Sequence, residues 1–132
     1  MARDPDAIRS VIVRFFDAFG KTRDADEIAR CFTADADLMG VDGEFIQGRE
    51  AIRDHYRNEF SGDYAGYRVG EPQMTAIREV RGLVFADASW ELFGPEGEEP
   101  IATPAGCFLM GTDEDGVLLI HGCRVWIPVS LG

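Results

Sequence analysis

The sequence contains two histidines, His55 and His121, and histidine is the side chain whose ordinary pKa suits proton transfer near neutrality. His121 lies in the apolar C-terminal segment. In an extended strand there, Leu119, His121, Cys123 and Val125 share one face, and Leu118, Ile120, Gly122, Arg124 and Trp126 share the other. Both faces are mostly apolar, so periodicity leaves open which meets an interior and which meets a partner. If the first set faces inward, His121 is the general acid–base candidate; otherwise it is a hydrogen-bonded core or interface histidine. Among the carboxylates, Asp87, Ser89 and Glu91 alternate with Ala86, Ala88 and Trp90. This pattern makes Asp87 or Glu91 a base at a cavity mouth, or part of a solvated sheet face. Asp37 is a further candidate base, and Arg124 or Tyr56 could polarise a carbonyl. Tyr56 falls one helical turn after Ile52, while its neighbour His55 is expected at the surface. The predicted catalytic set is therefore His121, Asp87 and Asp37. The predicted ligand-contacting set is Tyr56, Arg124, Glu91, Met39, Phe16, Cys123 and Phe108.

Composition narrows the partners. The net charge is −11, with Lys21 the single lysine. A field of that sign repels nucleic acid and anionic membranes alike, so neither is expected as a partner. No apolar run approaches the roughly 20 residues of a membrane span, and the N-terminus lacks a charged-then-apolar leader pattern. A cytoplasmic location is expected. Cys31, Cys107 and Cys123 match no zinc or redox spacing, and such cysteines behave as small buried hydrophobes in a reducing compartment. Cys123 keeps the alternative of a catalytic thiol. With no glycine-rich phosphate loop, nucleophile elbow or metal-ligand cluster, no cofactor and no metal is expected.

The elements that must position these residues follow from periodicity and punctuation. At 132 residues the chain is expected to form one domain over 1–132. Helical spacing of Ile8, Ile12, Phe15, Phe16 and Phe19 predicts a first helix over about 4–20, capped by Asp4 with Pro5 inside and stopped by Gly20. Asp24 with Glu27 opens a short second helix carrying Ile28, Cys31 and Phe32 on one side. Asp42-Gly43 between apolar pieces predicts a hairpin over 38–47, and helical spacing returns over about 49–60. Strands are predicted over about 67–78, with Pro72 at a bulge, edge or break, then over 83–93, 102–112 and 117–129. Helices first and antiparallel strands after indicate an α+β class.

This order, with Phe32-Thr33-Ala34-Asp35-Ala36-Asp37, Val41-Asp42-Gly43, Gln47-Gly48-Arg49-Glu50-Ala51-Ile52, Phe60-Ser61-Gly62 and the Asp115-Gly116 hairpin, resembles the nuclear transport factor 2-like, or SnoaL-like, superfamily. It is similar to the SgcJ/EcaC-type branch. The resemblance implies a cystatin-like cone, with three N-terminal helices packed in a curved, mostly antiparallel sheet around one internal pocket. It also implies a homodimer through the sheet face.

The resemblance does not fix a reaction. Registered on Phe32 to Ala36, the chain has Gly40 where ketosteroid isomerases carry their aspartate base. Phe16 and Phe108 stand near the tyrosine and the protonated acid of that oxyanion hole. For an Asp-Arg-Asp arrangement of the epoxide-hydrolase type the chain offers Arg124, which Asp87 or Asp37 could approach, though spacing enforces no pairing. The expected function is binding of a small apolar organic molecule, with isomerisation, cyclisation or dehydration as the implied reactions. A non-catalytic carrier or accessory protein and a homodimeric interaction module are the alternatives.

Overall fold

A computed structural model describes residues 4–128. Helix α1 (Pro5–Phe16) begins as the sequence predicts: the Asp4 carboxylate accepts from the Asp6 amide at 3.0 Å, and Pro5 fills the first turn. Its end differs. The helix continues as a π-turn (Asp17–Thr22) and stops at Arg23, which adopts a left-handed conformation with φ 55°. Gly20 serves another purpose, because a Cβ there would lie 3.1 Å from the Cβ of Val69. It lets the π-turn and the strand carrying Val69 approach closely.

Helix α2 (Ala25–Arg30) is capped by Asp24, which accepts from the amides of Asp26 and Glu27. Phe32, expected on the apolar side of this helix, instead opens β1 (Phe32–Met39). Parallel pairing with Ile120 places it there, so tertiary contact overrides helical spacing. Gly43, at φ 79°, makes the turn into β2 (Phe45–Gln47), and helix α3 (Arg49–Ser61) follows.

Prolines cut two of the predicted strands. Pro72 separates β3 (Arg68–Val69) from β4 (Gln73–Val80), and Pro104 separates β7 (Pro100–Ala102) from β8 (Ala105–Thr112). A residue without an N–H cannot sustain the ladder. The predicted strand over 83–93 likewise divides at Trp90 into β5 (Leu83–Ser89) and β6 (Leu92–Phe93). The last strand is β9 (Leu118–Trp126), and position 129 of its predicted span lies outside the described residues.

The large sheet runs β2-β1-β9-β8-β5-β4, parallel only between β1 and β9, and a small sheet runs β3-β6-β7. This is the α+β, cystatin-like arrangement of three helices against a curved sheet. On its concave side the ring of Phe15 meets those of Phe16, Phe32, Tyr56 and Phe108 edge-on at centroid distances of 5.1–6.3 Å. Such contacts add to the burial of the rings themselves.

One irregularity controls what the sheet presents. Leu109 pairs with Gly122 while Met110 pairs with Ile120, so His121 is an extra residue on β9. Ile120 faces inward before the bulge and Cys123 after it, opposite Met110 and Phe108 respectively, and all four are buried. The strict alternation expected for this strand is thus broken at its histidine. Phe108→Ala should lower stability by about 3–5 kcal/mol through the cavity it leaves, seen as a lower denaturant midpoint with an unchanged m-value.

Candidate functional site

Apolar packing does not fill the cone to its mouth. A hollow of about 70 Å³ remains, walled by Phe15, Phe19, Leu38, Trp90, Leu92 and Val125. It is small beside the roughly 300–1,000 Å³ of a drug-sized ligand site. Gly40 and Val41, at the end of β1, also border it, and the Gly40 Cβ position has no heavy atom within 4 Å. The position that the isomerase comparison leaves without a base therefore borders the hollow and has open space beside it.

The polar groups come from two places. Helix α3 supplies His55, Tyr56 and Glu59, and the end of the π-turn supplies Arg23. Ile52 and Tyr56 are the buried stripe of α3, so its rotation is set by packing. Residues 55 and 59 then flank that stripe and border the hollow. His55 Nε2 lies 3.0 Å from Glu59 Oε1, and its side chain is 14% exposed against 44% for His121. Burial opposes a charge on His55, but the hydrogen bond to Glu59 and the charges of Glu59, Glu44 and Asp42 outweigh it, and its pKa rises. The phenol of Tyr56 is driven well above its ordinary value, by burial first and then by Cys123 and Glu59. It remains a neutral O–H donor at neutral pH. A hydrogen-bonded histidine–glutamate pair thus stands beside a neutral donor in an apolar hollow.

The residues singled out in the sequence separate into three groups. Tyr56 lines the hollow. Phe16, Phe108 and Cys123 belong to the buried core behind it, with Phe16 packed edge-on to Trp90 at 4.9 Å. Burial pushes the Cys123 thiol up, which keeps it protonated and unsuited to nucleophilic work. The others do not border the hollow. The β9 bulge puts both His121 and Arg124 outside the concave face, although strict alternation would place them on opposite faces. His121 Nδ1 contacts Thr33 Oγ1 at 2.8 Å, with Asp35 at 3.7 Å. Arg124 meets Asp37 at 2.5 Å and lies over the Phe45 ring. Asp87 is held by Arg78 in a two-point contact of 2.9 and 3.1 Å, and this contact keeps its carboxyl below the usual range. Arg124 therefore pairs with Asp37 alone, and no Asp-Arg-Asp cluster forms. Met39 and Glu91 are exposed. His55, expected at the surface, is the histidine on the cavity wall. Its four-residue spacing from Glu59 on a helix was the readable signal.

Among the described residues, no three His, Cys, Asp or Glu side chains are grouped to hold a metal, and no helix is long and apolar enough to cross a membrane.

Comparison with known proteins bears on this architecture. A family model described as a SnoaL-like domain matches residues 12–116. A cystatin-like protein of unknown function from Nostoc punctiforme superposes with a TM-score of 0.87 at 20% identity, covering 99% of this chain and 81% of that one. A ketosteroid isomerase-like protein from Erwinia carotovora atroseptica gives 0.77 at 13% identity, over 98% and 100% of the two chains. ActVI-ORFA from Streptomyces coelicolor gives 0.72 at 16%, over 92% and 95%. At these identities the likenesses establish the fold. A search of curated proteins found no match.

The raised pKa of His55 ties stability to pH. A group protonated more readily in the folded state stabilises fully below its unfolded pKa of about 6.5. That contribution disappears as pH rises through the higher folded value. The stability advantage of the native chain over His55→Gln should therefore be largest below about pH 6 and shrink toward alkaline pH, measured by urea denaturation across the range. An advantage growing with pH would contradict the Glu59 contact.

Proposed function

We propose that this protein, which belongs to the SnoaL-like domain family, binds a small organic molecule in the hollow beneath α3 and moves a proton on it. The observation that carries the reading is the 3.0 Å contact between His55 and Glu59 on the wall of an otherwise apolar cavity. In isomerisation, cyclisation and dehydration alike, a C–H bond beside a carbonyl breaks and its electron pair moves onto the carbonyl oxygen. Glu59 takes the proton. His55 holds the carboxylate in place and balances its charge, and the Tyr56 hydroxyl donates to the oxygen where charge develops. The same proton is then returned to another carbon, to the alkoxide formed when the enolate carbon bonds to a second carbonyl and closes a ring, or to a leaving hydroxyl that departs as water. Apolar walls exclude bulk solvent and strengthen each of these contacts.

The test needs no natural substrate. In D₂O, the protein should speed deuterium incorporation next to the carbonyl of cyclohexanone, followed by NMR. Glu59→Gln should remove most of this acceleration, about 10²-fold or more for loss of a general base, while the ketone still binds. Equal exchange rates with native and Glu59→Gln protein, with binding intact in both, would leave the cavity as that of a carrier.

The convex face of the large sheet supports a second part of the reading, a homodimer. Phe45, Met39 and Trp126 are exposed there, and the nearby charges Arg124–Asp37 and Arg78–Asp87 already neutralise each other. A second copy would bury these apolar groups without leaving an unpaired charge. Sedimentation should give a dimer that Phe45→Glu converts to monomer; a native chain that sediments as monomer at micromolar concentration would remove this part. The three free cysteines fit a reducing cytoplasm as the place of work.

A further inference from the structure

Arg23 is an unusual residue for the position it holds. It is one of two described non-glycine residues at positive φ, a conformation that costs an arginine side chain some backbone strain. The π-turn that delivers it is itself a departure from regular helix, and such turns recur where a side chain must be aimed. What the distortion achieves is placement. The guanidinium stacks on the Phe60 ring at 4.1 Å and joins the lining of the hollow. Its hydrogen bonds run to the backbone carbonyls of Phe19 and Tyr64, at 3.3 and 2.5 Å. Among the described residues no carboxylate forms a salt bridge with it, in a chain whose acids outnumber its lysines and arginines 24 to 13.

The charges around the hollow are unevenly paired. Three lining residues can carry charge: Arg23, His55 and Glu59. Glu59 is in hydrogen-bond contact with His55 and acts on Arg23 only at longer range. Glu44 and Asp42 also face His55, from the turn between β1 and β2, while Tyr64 and Tyr67 line the mouth. His55 is thus matched by Glu59, Glu44 and Asp42, whereas Arg23 has no carboxylate in salt-bridge contact among the described residues. A half-buried cation left over in an apolar site is the complement of a ligand anion.

We infer that the hollow takes a small carbonyl compound that also bears a carboxylate, with the carboxylate docked on Arg23 at the mouth and the enolisable carbon directed toward Glu59 and Tyr56. Such keto acids join a short apolar body to one charged end. The body suits a hollow of about 70 Å³, and the charged end stays at the rim, where water still reaches it. The inference rests on the proposed site but makes a separate claim about the ligand's charge.

Levulinate and its amide, levulinamide, are matched in size and both carry an enolisable ketone. Trp90 lines the hollow and Trp126 lies on the convex face, so in a Trp126→Phe variant fluorescence reports the site. At pH 6 levulinate should bind about tenfold or more tightly than levulinamide. Added salt should narrow the gap. Arg23→Gln should abolish the acid's advantage over the amide. Since Arg23 also holds two backbone carbonyls, the acid–amide comparison in the native pocket decides the matter even if that variant folds poorly. Equal affinities there would overturn the inference while leaving a pocket for neutral ligands. Silence of Trp90 toward levulinate, levulinamide and cyclohexanone together would overturn both the inference and the site it rests on.

Discussion

A single additional residue in β9 decides which chemistry faces inward. The concave side needs Ile120 opposite Met110 and Cys123 opposite Phe108, an odd separation that an ordinary strand cannot place on one face. The bulge at His121 reconciles the two. Beyond the bulge, Val125 reaches the wall of the hollow. Tight packing on the outer side accompanies the bulge: a Cβ on Gly111 would lie 2.9 Å from the His121 Cβ, so glycine is what the bulge admits there. With β9 so divided, its two polar side chains leave the interior. Ionisable chemistry within the cone must then come from the helices.

The helices can supply it only along the edges of their buried stripes. On α3, Ile52 and Tyr56 lie in the core, and the positions beside them border the space where the sheet curves away. His55 and Glu59 occupy such positions. The pair is partly sheltered without being sealed, which lets it carry charge at moderate cost. Tyr56, more deeply buried, contributes a neutral donor instead. From core to rim the cavity thus passes from hydroxyl to histidine–glutamate pair to guanidinium, following the rising access of water.

Much of this fold was legible in the residues themselves. Asp4, Asp24 and Gly43 act through local hydrogen bonds or local backbone geometry, and each serves as its type and position predict. What failed was information held between distant segments. Nothing near Gly20 announces Val69, and Leu118 to Val125 reads equally well in either register because both faces are apolar. Phe32 carries a helical signal that pairing with Ile120 overrides. The site was obscured for a related reason. A histidine and a glutamate four residues apart on a polar helix usually mark a solvated ion pair, and only the curvature of a sheet built from later residues turns that helix edge into a cavity wall.

The thiols and the convex charges indicate why proton transfer fits this interior better than nucleophilic chemistry. Burial raises Cys31 to about 11 and pushes Cys123 higher still, so neither offers a thiolate near neutrality. Asp87 and Asp37 are bound to arginines on the far side of the sheet, and the Arg78 contact holds the Asp87 carboxyl below its usual range. Glu59 differs in its partner. Histidine can gain or lose a proton near neutrality, so the pair can hold a proton through a reaction and release it afterwards. An arginine partner would keep its charge throughout and hold the carboxylate in one state. Arg23 stands at the rim, stacked on Phe60 and bonded to carbonyl oxygens, and its fixed charge does not pair directly with Glu59.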